Sequence, residues 1–180
     1  TSMEFFKIAE KPPIKGEELY SLGNPHDLGM IVVPGTYNGL KKDSFNDRIH
    51  FTGSVNPGMS GGPVVNSSAQ VVGINVATSG NQIGFLVPHQ KLLTLFKAYQ
   101  LKPPTTIEAQ MSAQLAHNQK KLISTLLASP WQQKPLGNGL IPTIDAPFIR
   151  CWGESNADKN DALALLVVAN CTLEENTYIS

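Results

Sequence analysis

Charge, long apolar runs and cysteine are all scarce in this chain of 180 residues. Charged residues make up 16%, and 14 basic side chains balance 14 acidic ones. A zero balance leaves no basic stripe for nucleic acid and no polybasic patch for a membrane surface. No stretch approaches the roughly 20 apolar residues that a membrane span requires. Cys151 and Cys171 are the only cysteines, and both stand in a late, separate segment. Either they close a loop of about 20 residues, worth about 3 kcal/mol, or they stay as two buried thiols. No histidine neighbours them in sequence, and no two histidines have a His-x-x-x-His spacing. A zinc site is therefore not expected. Asp158, Asp161 and the nearby asparagines lack the glycine and closing glutamate of a calcium loop, so they read as a solvated loop. No metal or other cofactor is expected.

What the chain has is punctuation. Turn clusters recur at Lys11-Pro12-Pro13, Gly23-Asn24-Pro25, Pro34-Gly35, Asn56-Pro57-Gly58, Asn66-Ser67-Ser68 and Ser79-Gly80-Asn81. Between them lie short β-rich runs, so residues 1–86 read as an antiparallel sandwich or barrel. Leu92, Leu93, Leu95, Phe96 and Tyr99 then fall at helical spacing after Pro88, predicting a helix over about 88–99. Pro103-Pro104 reads as a linker. A second helix follows, with Thr105 and Glu108 as a capping box and Ile107, Met111, Leu115, Leu122 and Leu126 on one face. It stops at Ser129-Pro130, and its apolar face is expected to pack on the barrel or on a neighbouring domain. From Trp131, Pro135, Gly137-Asn138-Gly139 and Pro142 read as an irregular connection. Phe148 to Trp152 and Leu163 to Val168 then look like two strands joined by a polar loop. The division expected is 1–100, a helical linker over 101–135, and an incomplete β-rich region over 136–180. At this length there is room for one domain and an appendage. The opening on Thr1 is read as a cut within a longer secreted or periplasmic protein.

One segment carries chemistry. In Asn56-Pro57-Gly58-Met59-Ser60-Gly61-Gly62-Pro63, glycine and proline crowd around a single serine. Glycine tolerates positive φ and lets another molecule approach the main chain. Such a turn suits N–H groups aimed at a developing negative charge, the arrangement of an oxyanion hole. Strand-like runs on both sides, Ile49-His50-Phe51 and Val64-Val65, place the serine on a loop held between strands.

Gly58-Met59-Ser60-Gly61-Gly62-Pro63 resembles the nucleophile motif of trypsin-like serine peptidases, with methionine where a polar or acidic residue is commoner. Asn56-Pro57 before it and Val64-Val65-Asn66 after it resemble the HtrA-like, bacterial branch. Leu22-Gly23-Asn24-Pro25 upstream, and Val71 to Ala77 followed by Ile83 to Pro88 downstream, match in the same order. The resemblance covers about residues 1–100. It implies the second barrel of a trypsin-like double barrel, closed by a helix, and a serine endopeptidase that works through an acyl-enzyme on Ser60. Gly58, Met59 and Ser60 would form the oxyanion hole. The strand Val76-Ala77-Thr78 would pair with an extended polypeptide substrate, and Ser54 and Ile83 would line the pocket. Neither is charged and Ile83 is bulky, so a small or medium aliphatic side chain is expected there. Asn75 stands where glutamate-specific relatives have histidine.

A serine hydroxyl needs a base, and the base needs an orienting partner. In the family both precede the serine, on the first barrel, so the missing N-terminal barrel is the expected partner and these residues alone should be inactive. Aligning Lys7-Ile8 with the family puts Ser2 at the acidic position, or Glu4 after a slip of register. His26 reads as an exposed loop residue, and His50 as a half-exposed strand residue or one that lines the cleft. His89 and His117 read as solvated helical residues. Ser2 keeps an alternative open, a catalytically inactive peptide-binding module on the same fold.

Overall fold

The computed structural model describes residues 4–25, 29–80, 82–158 and 164–173. Ser2, His26 and Asp161, singled out above, lie outside the described residues. The chain divides into two compact units between Pro104 and Thr105.

Turn clusters cut the first unit into short strands: β1 Lys7–Ile8, β2 Glu18–Gly23, β3 Ile31–Leu40, β4 Ile49–Phe51, β5 Pro63–Asn66, β6 Gln70–Thr78 and β7 Gly84–Pro88. Their order is β1-β6-β5-β2-β3-β4-β7, and β7 pairs back onto β6. Six strands therefore close on themselves, all antiparallel, with β1 added in parallel to β6. This is the barrel that the turn spacing and the resemblance imply.

Alternation along the strands fills it. On β2, Leu19 and Ser21 point inward and are fully buried, while Glu18 stays exposed. Leu19, Ile49, Phe51, Val64, Val72 and Leu86 meet in one core. Phe51 is held between two bare stretches of backbone. A Cβ on Gly53 would stand 2.2 Å from its ring, and one on Gly35 2.6 Å. Only glycine permits that approach, and it draws the 53–55 segment tightly against the barrel wall.

Helix α1, His89–Leu101, follows β7 without a loop, close to the span expected. His89 departs from expectation. It is not solvated but 1% exposed, and its ring nitrogens make no well-formed hydrogen bond, the Val72 backbone being the nearest polar partner. Burial pushes its pKa below the usual histidine value, with the Val72 backbone acting in the opposite direction. The folded protein thus holds His89 neutral where the unfolded chain would take up a proton. Between the unfolded value of about 6.5 and the lower folded one, the unfolded state binds more protons, so stability rises with pH. This contribution is complete above the unfolded value and is lost as pH falls through the folded one. Urea unfolding from about pH 7.5 to about pH 5 should show that loss. In His89→Gln the slope should be shallower, and equal slopes would show that His89 does not supply it.

The second unit opens with α2, Ile107–Ala128. Its N-cap is Thr106 rather than Thr105: the Thr106 hydroxyl accepts from the Ala109 N–H at 3.1 Å. Ile107 already begins the helical turn, so the residue in extended conformation just before it takes the cap. Glu108 lies in the first turn, where the helix dipole favours it. The helix ends at Ser129 as expected. Along its apolar stripe Ile107, Met111 and Leu115 are exposed, Leu122 and Leu126 are half-buried, and no residue of α2 is fully buried.

Two hairpins complete this unit. Trp131 to Ile144 is not an irregular connection but an antiparallel pair, β8 Trp131–Leu136 and β9 Gly139–Ile144. The strand opens within the stretch expected to be helical linker. The other pair is β10 Ile149–Ser155 with β11 Val167–Leu173. The expected start, Leu163, lies outside the described residues, and the second strand of this pair begins at Val167. Cys151 and Cys171 stand opposite one another in its register and form a disulfide. Among the described residues no helix is long and apolar enough to cross a membrane.

Candidate active site

The Ser60 loop leads into β5, and its anchor is Met59. That side chain has no exposed surface and belongs to the barrel core. Gly23, at the end of β2, makes room for it, since a Cβ there would stand 2.8 Å from the Met59 Cα and Cγ. An apolar side chain at this point thus has a packing reason, burial in the core from a loop position.

Hydrogen bonds set the turn. The Met59 N–H donates to the Asn56 carbonyl at 3.0 Å, and the Gly62 N–H to the Met59 carbonyl at 3.0 Å. The Gly61 N–H donates to the Asn75 carbonyl, and the Asn75 N–H donates to the Gly62 carbonyl, both at 2.9 Å. Gly58 and Gly61 take φ of +93° and +83°, on either side of Met59 and Ser60. With Met59 inside and both flanking residues left-handed, Ser60 stands at the exposed surface of the turn.

Of the three residues expected at an oxyanion hole, Met59 has its N–H committed to Asn56. Gly58 is exposed, and its N–H makes no hydrogen bond among the described residues. A Cβ on Gly58 would meet the Asn24 carbonyl oxygen at 2.4 Å, so the Asn24-Pro25 turn lies directly against it.

The expected substrate residues share one wall. A Cβ on Gly84 would stand 2.7 Å from Val55 and 3.2 Å from the Gly53 carbonyl oxygen. The chain around half-buried Ser54 therefore lies beside the strand that follows Ile83, which is 38% exposed. The Thr78 hydroxyl donates to the Ile83 carbonyl at 3.1 Å, and the Ser79 N–H to the same oxygen at 2.9 Å, closing that loop. Pairing of β6 with β5 ends at Ile74, and its register with β7 shifts between Asn75 and Ala77. Among the described residues, Val76-Ala77-Thr78 consequently has no strand on its β5 side. The Ala77 side chain turns inward and is buried, whereas Val76 and Thr78 are half-buried.

His50 is half-buried on β4, opposite Phe85, with ring centroids 6.3 Å apart. Its Nε2 is buried and makes no hydrogen bond among the described residues, so it is not bonded to the Ser60 hydroxyl. His117 is exposed on α2, as expected.

Ser21 went unrecognised, and Asn75 was weighed only against the histidine of glutamate-specific relatives, not as its partner. The Ser21 hydroxyl donates to Asn75 Oδ1 at 3.0 Å, and both side chains are buried. The signal available was polarity at positions where strand alternation calls for an apolar residue, in Leu19-Tyr20-Ser21-Leu22 and in Ile74-Asn75-Val76.

Comparison with known proteins places the first unit among peptidase-like sequences. Residues 1–74 match the family model for the trypsin-like peptidase domain. The chain is 30% identical over 86 residues to "Protease Do-like 1, chloroplastic" of Arabidopsis thaliana, covering 41% of this chain and 20% of that protein. It is 37% identical over 83 residues to a "Probable periplasmic serine endoprotease DegP-like" of Chlamydia pneumoniae, covering 41% and 17%. It thus spans about a fifth of the length of the curated relatives it matches. Among solved structures, an inactive variant of Rv3671c from M. tuberculosis H37Rv superposes with a TM-score of 0.51 at 18% identity, over 56% of each chain. That likeness concerns the fold alone. Over residues 1–74, then, the chain is similar to trypsin-like peptidase domains, and the relatives named here are Do-like and DegP-like serine proteases.

Proposed function

We propose that this chain carries the serine-bearing barrel of a serine endopeptidase. Ser60 would attack the scissile carbonyl and form an acyl-enzyme, with the N–H groups of Gly58 and Ser60 binding the oxyanion. The observation that carries this reading is the turn itself: an exposed serine between two left-handed glycines, with Met59 buried in the barrel core beneath it. The unpaired side of Val76-Ala77-Thr78 supports main-chain pairing with an extended polypeptide. Ser54 and Ile83, both uncharged, support a pocket for a small or medium aliphatic side chain. Histidine and aspartate would come from an N-terminal barrel of the same protein, so residues 1–180 alone would be inactive. Periplasmic relatives support an extracytoplasmic location, and a chloroplastic relative shows that this varies across the family. Residues after about 100 would form a helical segment and a small β-rich region outside the peptidase domain.

The test is covalent labelling of the protein that includes the upstream histidine. An organophosphonate or sulfonyl fluoride should modify Ser60, located by peptide mass mapping, while Ser60→Ala takes no label. No modification of Ser60 in that protein would leave the inactive peptide-binding module as the reading.

A further inference from the structure

The Gly61-Gly62 turn occupies a gap in the sheet. Below it, β5 is paired on both sides, Val64 with Ser21 of β2 and with Gly73 of β6. The ladder between β5 and β6 ends at Pro63 and Ile74. Beyond that point Asn75 adds a second connection between the Ser60 turn and the barrel to the one that Met59 makes in the core. Its backbone N–H and carbonyl hold Gly62 and Gly61. Its side chain reaches in the other direction, accepting from the Ser21 hydroxyl and donating to the Leu22 carbonyl at 3.4 Å. That carbonyl is the surface against which Gly62 rests, since a Cβ on Gly62 would stand 2.2 Å from the Leu22 oxygen. One buried residue thus fixes both the turn and the strand end on which the turn sits.

We propose that Asn75, through its amide bridge to Ser21 and Leu22, is a positioning residue that sets where Ser60 is presented. This rests on the peptidase reading of Ser60 and adds a determinant of its rate. A buried asparagine paired with a buried serine could serve stability alone. Geometry argues for more, because the bridge joins β2 to β6 at the level where β5 gives way to the turn. Misplacing a reacting group by about 1 Å costs on the order of 100-fold in rate, while substrate binding along Val76-Ala77-Thr78 is made by main-chain atoms that the amide does not touch.

The experiment separates the two roles with a cycle of variants in the protein that includes the upstream histidine. Asn75→Leu removes the bridge and leaves the Ser21 hydroxyl without its acceptor, so both Tm and kcat should fall. Ser21→Ala together with Asn75→Leu removes both buried polar groups, and an apolar pair of this kind can be nearly neutral for stability. In the double variant Tm should return toward wild type, while kcat stays about 10-fold to 100-fold low with KM within about twofold. The rate of Ser60 labelling by a sulfonyl fluoride should stay slow in parallel. Recovery of kcat and labelling together with Tm would overturn the proposal, as would wild-type kcat in Asn75→Leu. If wild type itself takes no label at Ser60, the peptidase reading fails and this inference fails with it.

Discussion

Ser60→Ala, in the protein that includes the upstream histidine, is expected to lower kcat for peptide cleavage about 10⁶-fold while leaving Tm unchanged. The size follows from removing the attacking atom, since loss of the nucleophile alone costs about as much as loss of a whole triad. What survives is the contribution of the oxyanion donors and of binding, about 10³–10⁴ over water. Stability should be untouched because Ser60 is exposed while its neighbour Met59 supplies the burial at this turn. Steady-state kinetics and a thermal melt on the same preparation check both halves. A loss of kcat accompanied by a lowered Tm would show that the hydroxyl supports the fold, whereas full kcat in Ser60→Ala would show that it is not the nucleophile.

Gly58→Val should cost about 10²–10³ in kcat, the loss of one oxyanion donor. Two effects act together. At φ +93° a β-branched residue is strained, and its Cβ would lie 2.4 Å from the Asn24 carbonyl oxygen. The peptide plane at residue 58 must then turn, taking with it the N–H that would face the oxyanion. Gly61→Ala provides the comparison, for it shares the left-handed φ of +83° but has nothing within 4 Å of the added carbon. Its kcat should fall much less, from backbone strain without the clash. Equal kcat in wild type and Gly58→Val would remove Gly58 from the oxyanion hole.

Much of the barrel and of the Ser60 turn was legible because both are written locally. Turn clusters mark the strand ends, and glycines beside Ser60 state the φ that the turn needs. Tertiary context accounts for the rest. Ser21 and Asn75 are 54 residues apart and become partners only when β2 and β6 flank β5. His89, after a proline at a helix start, looked like a surface residue; it is buried because α1 follows β7 without a loop. Pro135 and Pro142 read as breakers of the segment after Trp131. They fit the β8–β9 hairpin because a two-stranded sheet leaves each strand one outer edge, where a missing N–H costs no ladder bond. The start of β11 was not legible for another reason: residues 164–168 are apolar throughout, so nothing among them marks where the strand begins.

Closure of the barrel also bears on how copies of this chain meet in concentrated solution. A ring of six strands leaves neighbours little free ladder beyond the short β1 and the end of β6 at Val76-Ala77-Thr78. The two hairpins of the other unit are two-stranded, so each has open edges. In β8–β9, Pro135 and Pro142 interrupt the donor rows, and Lys134 adds charge. On β10, Arg150 and Glu154 act as gatekeepers. The run Val167–Leu173, VVANCTL, has neither proline nor charge, and six of its seven residues are exposed. Intermolecular sheet growth would therefore begin at that edge, well removed in sequence from Ser60, and a single lysine there should suppress it.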